Sequence, residues 1–151
     1  MTVDRTYIEE NGAQRDRLKA LVGRLSDAEL SRPMPAGWTV AAVLGHLAFW
    51  DQRIAVVVGR WRKAGAAAVP PAVDGGSVDW VNDAGKPMLL AVPPRRAAEI
   101  AVAAAEAADG AVASLPDDFV AANQKAGGPV IVLRARHRRE HLDEIEQTLR
   151  R

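Results

Sequence analysis

Three histidines are the residues of this chain best suited to chemistry, and two of them, His137 and His141, stand four residues apart in Arg136-His-Arg-Arg-Glu-His-Leu-Asp-Glu-Ile. On a helix that spacing stacks two imidazoles about one turn apart, within reach of a single ion. The third, His46, lies in a second apolar-periodic stretch, Gly45-His-Leu-Ala-Phe-Trp-Asp. A lone pair at this spacing is a weak signal, because solvated and core histidines produce it often. Position strengthens it. With His137 at zero on a wheel of roughly 100° per residue, Ile131, Leu142, Ile145 and Leu149 fall about 80 to 140° away and His141 about 40°. Glu144, Thr148 and Arg134 share the histidine flank, whereas Arg136, Arg139, Asp143 and Glu146 point away. Around His46, Val43, Trp50, Ile54, Val57 and Trp61 lie within about 20 to 80°. All three histidines therefore sit on the rims of apolar faces, and the rims converge if the two helices are neighbours in a bundle, where bundles build metal sites.

Three neutral imidazoles leave positions open on a divalent ion, which is the arrangement of a catalytic rather than a closed structural site. Zinc suits such ligands best, and nickel and iron fit too. An ion held this way either deprotonates a water or thiol or polarises an oxygen. Glu144, one turn beyond His141, can orient an imidazole or accept a proton, with a salt bridge to Arg134 or Arg151 as its plain structural alternative. Arg134 can hold a carboxylate of substrate or thiol, with ion pairing to Glu144 as its alternative.

The elements that must position these groups read as helices. Asp4 to Leu25 forms the first, with Leu18, Leu21, Val22 and Leu25 at three- and four-residue spacings. Ser26-Asp-Ala-Glu29 has the form of a capping box and starts a short turn before Pro33. Pro33-Met-Pro-Ala-Gly is an extended connector. The second long helix opens at Trp38-Thr39-Val40, with Thr39 as N-cap, and runs to Trp61. From Lys63 to Pro94 the pattern dissolves into Ala-Gly and Pro-Pro steps, with one helical turn at Asp79-Trp-Val-Asn82. A connection this long is usually functional or disordered. Trp80 and Asn82 suggest that part of it folds over the bundle, and a loop pinned by one buried tryptophan is the equal alternative. Arg95 to Ser114 forms the third long helix, with small residues at Ala97, Ala101, Ala104 and Ala108 for close approach. Phe119 to Gly128 reads as a polar loop and Val130 to Arg151 as the fourth long helix. The expectation is an all-α fold, a four-helix bundle with a long connector between its second and third helices.

At 151 residues the chain has the length of one domain, 1–151, able to bury a core without staples. It has no cysteine, which permits a cytoplasmic home. The first residues lack the basic and apolar segments of a signal peptide, and no stretch approaches the roughly 18 uninterrupted apolar residues of a membrane span. With 20 Lys plus Arg against 19 Asp plus Glu, the balance argues against a nucleic-acid binder. Arg134, Arg136, Arg138 and Arg139 crowd together but do not share a face.

The run Gly-Trp-Thr-Val at 37–40, then Gly45-His-Leu-Ala-Phe-Trp-Asp, Val78-Asp-Trp-Val-Asn82 and His137-Arg-Arg-Glu-His141 resembles the DinB-like family of metal-dependent four-helix bundles. That group includes the N-terminal domain of mycothiol-dependent maleylpyruvate isomerase. The resemblance spans nearly the whole chain and implies a metal held by His46, His137 and His141. It also implies a low-molecular-weight thiol, of the mycothiol or bacillithiol type, as co-substrate attacking an electrophilic small molecule. The sequence stops just after the fourth helix, so the isomerases' further C-terminal domain is expected to be lacking, which points away from isomerase activity itself. Trp80 and Asn82 would then cover the thiol, Arg134 orient an acidic group and Glu144 position an imidazole or take a proton. A binding or stress-response bundle with a structural or vestigial metal, and a metal-dependent hydrolase, are the rival readings. Partners are expected to be small molecules, with neither nucleic acid nor membrane, and an exposed alanine-rich third helix leaves room for a homodimer.

Overall fold

The computed structural model describes residues 2–151. Among them are seven α-helices and no β-strand. These are α1 (Thr6–Arg24), α2 (Asp27–Leu30), α3 (Val40–Ala64), α4 (Gly75–Ala91), α5 (Pro94–Ala113), α6 (Asp117–Lys125) and α7 (Ala135–Leu149). A single 3-10 turn, Pro35–Gly37, precedes α3. The bundle closes through α3 on α5, α5 on α1, α1 on α7 and α7 on α3.

Several boundaries follow from local chemistry. Ser26 accepts from the Glu29 amide while Glu29 accepts from the Ser26 amide, so the capping box that starts α2 is complete. Thr39 accepts from the Ala42 amide and starts α3. One core layer gathers Leu18, Leu21, Leu44, Leu47, Leu142 and Ile145 around the alanines of α5. Ala97, Ala98, Ala101, Ala104, Ala105 and Ala108 are buried, so the small residues expected to allow close approach do face the bundle, while Ala103 and Ala107 remain exposed on the opposite side. A second layer at the far end joins Tyr7, Ile54, Val58, Trp61, Val112, Leu115 and Phe119. By length and composition α3 could cross a membrane, yet 56% of its most apolar window is buried inside the bundle.

Three expectations need correction. The connector 63–94 is not mostly irregular, because Asp74 caps the 17-residue helix α4 by accepting from the Ser77 amide and hydroxyl. The glycines and Pro87 that masked α4 lower its helix propensity, and none of its residues is buried. Residues 117–125 form α6, begun by Pro116 with Asp117 and Asp118 in its first turn, where acidic groups favour the helix dipole. The last helix starts at Ala135, not Val130. Two asparagines hold the preceding segment out of the helix. Asn123 brackets Val130 by donating to its carbonyl and accepting from its amide, at 2.8 and 3.0 Å. Asn11 donates to the Val132 carbonyl and accepts from the Ala135 amide, at 2.8 and 2.9 Å. Ile131 is consequently exposed rather than part of a helical stripe.

Candidate metal centre

His46 is carried by α3, and His137 and His141 by α7, two helices in direct contact. The Nε2 atoms of His46 and His137 are 3.2 Å apart. The three rings stand edge to face around one point, with centroid separations of 5.1, 4.8 and 4.8 Å, and one ligand atom from each lies within 4.8 Å of the others. Two nitrogens bound to one tetrahedral zinc at about 2.05 Å would be about 3.3 Å apart. The donor type therefore suits a divalent ion, and the His46–His137 spacing matches two ligands of one such ion.

Electrostatics favour ligand forms of the imidazoles. Burial pushes His46 down to about 4, assisted by the neighbouring His141. Burial pushes His137 down to about 3, with His141, His46, Arg134 and Arg138 acting in the same direction. Both are neutral at physiological pH, with lone pairs available for a metal. Glu144 Oε2 lies 2.9 Å from His141 Nδ1. A proton on Nδ1 donated to that carboxylate leaves Nε2 free as the ligand atom.

A buried charge network sits directly behind the histidines. Asp51, one turn and a half beyond His46, accepts from Arg134 Nε at 2.8 Å and from Arg138 Nε at 3.2 Å. Arg138 also makes a bidentate pair with Asp109 of α5, at 2.8 and 2.7 Å, and donates to the Asn11 carbonyl. Burial opposes the Arg138 charge, but the bonds to Asp109 and the charges of both aspartates outweigh it and raise its pKa. Two carboxylates thus neutralise two guanidiniums that straddle His137 in sequence, tying α7 to α3 and α5 and fixing its rotation. Arg15 adds a rim contact to Asp109 at 2.9 Å.

A cavity of about 1150 Å³ opens over the centre. Its lining includes all three histidines, Trp38, Trp50, Arg53, Asn82, Arg134 and Glu144. The other walls come from the irregular 128–133 segment and from α4. Trp38 stands edge to face on His46 at 5.9 Å, while Lys86 of α4 lies over the Trp38 ring and donates to the Ala36 carbonyl. α4 approaches α3 closely at Gly45, where a Cβ would meet Leu89 at 3.0 Å.

Of the residues singled out from the sequence, the structure brings together His46, His137, His141 and Glu144. Arg134 faces the cavity, but its partner is Asp51, so the expected alternative of pairing with Glu144 is not what forms. Asn82 accepts from Trp50 Nε1 at 2.8 Å, bracing the cavity wall. Trp80 is 64% exposed and is not among the lining residues, because α4 turns it outward. Sequence reasoning missed Asp51, Asp109 and Arg138. An aspartate amid the alanines of α5 was the available signal, since burial of a carboxylate demands a cationic partner.

The sequence model of the family described as the mycothiol maleylpyruvate isomerase N-terminal domain matches residues 12–145. Neither the curated proteins nor the solved structures contain a match to the chain.

Proposed function

The chain belongs to the mycothiol maleylpyruvate isomerase N-terminal domain family, and on that premise we propose that it is a metal-dependent enzyme transferring a low-molecular-weight thiol to an electrophilic small molecule. His46, His137 and His141 would hold the ion, zinc first among the candidates, with nickel and iron as alternatives. When bound, such an ion supplies Lewis acidity that favours the reactive thiolate form of a thiol near neutral pH. The chain has no cysteine, so the sulfur comes from a small molecule of the mycothiol or bacillithiol class. The observation that carries the reading is the convergence of three imidazoles, two of them held neutral by burial, on the floor of a large cavity.

The chain's own residues divide the remaining work. Glu144 fixes the His141 ring and offers a carboxylate oxygen at the cavity edge to receive the thiol proton. Trp38, Trp50 and Ile54 give the cavity apolar walls that exclude water from the sulfur. Asp51, through Arg134 and Arg138, positions the histidine-bearing turn of α7.

The test is to load the protein with zinc, nickel or iron and incubate it with mycothiol, bacillithiol or glutathione and a panel of electrophiles. Conjugate formation that needs metal and is lost in His137→Ala is the expected result. Metal-dependent hydrolysis of an ester or amide with no conjugate would make the site a hydrolase. Metal binding with neither reaction would favour a binding bundle.

A further inference from the structure

Arg53 is the cation of the cavity that the protein leaves unengaged. His46, Trp50 and Arg53 follow one another on α3 at spacings of four and three, so they share a face, and all three line the cavity. The other cavity arginines are placed differently, Arg136 being a mostly exposed rim residue. Arg134 is bonded to Asp51, and Arg136 lies 3.7 Å from Glu140. Arg53 is half-buried, and among the described residues its side chain has neither a hydrogen bond nor an ion pair; its guanidinium carbon lies 6.0 Å from the Trp50 ring centroid. Burial pushes its pKa down and the neighbouring charge that acts on it, Arg134, pushes the same way, so no carboxylate of the chain compensates it. Arg53 also borders a shallower groove between α3 and α5. Its guanidinium nevertheless stands beside Trp50, whose ring walls the histidine cavity and not that groove.

A guanidinium drawn partly out of water without an anion is costly to maintain, and a carboxylate is the group that matches its planar fork. Seven residues of helix separate Arg53 from His46, a rise of about 10 Å. The cavity's apolar lining comes from Trp50, Ile54, Val78, Ile131 and Leu133, while Asp79, Asn82, Asp83 and Glu140 supply polar groups on the same walls. We propose that Arg53 is the specificity-determining residue of this cavity, and that the ligand it selects is an elongated monocarboxylic acid with its carboxylate on Arg53, an apolar middle and its reacting end at the histidines. In calling this ligand the electrophilic substrate the proposal rests on the thiol-transfer reading; the ligand class itself rests on Arg53.

Two binding arms test it separately from that reading. In the first, the full chain stripped of metal is titrated with octanoate and with octan-1-ol by calorimetry, while the Arg53 Nε–Hε resonance is followed by NMR. Octanoate should bind at least tenfold tighter than the alcohol and shift that resonance. Arg53→Gln should abolish the preference while leaving alcohol binding intact, and Arg53→Lys should restore part of it. Arg53 has no hydrogen bond or ion pair to lose, only its contact with the Trp50 ring, so Arg53→Lys should melt with the wild type and Arg53→Gln within a few degrees of it. In the second arm, the zinc-loaded chain is titrated with ω-mercaptoalkanoates of increasing length and with the matching mercaptoalkanols. The acids alone should show an affinity optimum near the length that spans about 10 Å, and Arg53→Gln should flatten it. Equal binding of octanoate and octanol by the wild type, or an acid preference that survives Arg53→Gln, overturns the proposal. An acid preference lost in Arg53→Gln, in a protein that forms no thiol conjugate, upholds the ligand class while removing thiol transfer.

Discussion

Replacing Asp51 with alanine should be among the most damaging single substitutions in the chain. Asp51 is 1% exposed and faces Arg134 and Arg138, which are 4% and 0% exposed. Its loss removes the 2.8 Å bond from Arg134 and the 3.1 to 3.2 Å contacts from Arg138. Arg138 keeps Asp109 but has no route to solvent, whereas Arg134 borders the cavity and can turn toward water. Breaking a buried ion pair costs about 3–5 kcal/mol, and the escape open to Arg134 places the expectation near the lower end, at about 3 kcal/mol. That is a large share of the roughly 5–15 kcal/mol that stabilises a domain. Urea unfolding of the metal-free protein is the assay, since bound metal would add its own linkage. The midpoint should fall with the denaturant slope unchanged. The double variant Asp51→Asn, Arg134→Met should lose less than the sum of its single variants, because it removes a charge from each side of the pair. A loss below about 1 kcal/mol for Asp51→Ala would show that the network is not holding buried charge.

Other expectations follow from the same geometry. Glu144→Gln should weaken metal binding by about tenfold, at the low end of the range for outer partners of ligating histidines because Glu144 is 57% exposed; competition titration against a chelator measures it, and unchanged affinity would remove Glu144 from the site. His46 and His137 have folded-state pKa values below the ordinary 6.5, so the unfolded chain binds more protons than the native one from about 6.5 down to about 4 for His46 and about 3 for His137. Their contribution therefore makes the metal-free protein less stable as pH falls through that window. The slope should be shallower in His46→Asn, His137→Asn, and an equal slope in both proteins would contradict the burial argument. Chelation should leave the helical circular-dichroism signal intact, because the core is built from α1, α3, α5 and α7 without the ion. Readdition of metal should raise the melting temperature.

The convergence of the three histidines was legible in the sequence because helical spacing and the apolar stripe place His46, His137 and His141 on adjoining rims. Thr39 and the Ser26–Glu29 box marked helix starts for the same local reason: capping is short-range chemistry. α4 escaped notice because Gly75, Gly76, Gly85 and Pro87 lower helix propensity, while the Asp74 cap that opens it is one residue. The start of α7 depends on Asn11 and Asn123, which lie 124 and 7 residues from the amides they cap or bracket, Ala135 and Val130. Contacts of the first kind have no local signature. The ion network is similar, since Asp51, Asp109 and Arg138 meet only after three helices have packed. Arg134 showed how a correct placement can carry a different partner: it reaches the cavity but is held by a carboxylate from another helix.

The most direct test of the central claim is the visible spectrum of the cobalt(II)-substituted protein on addition of mycothiol. The account predicts one cobalt per chain, a tetrahedral ligand-field spectrum that is lost in His137→Ala, and a new sulfur-to-cobalt charge-transfer band when the thiol is added. Full cobalt occupancy with no such band at saturating thiol would contradict a site built to activate sulfur.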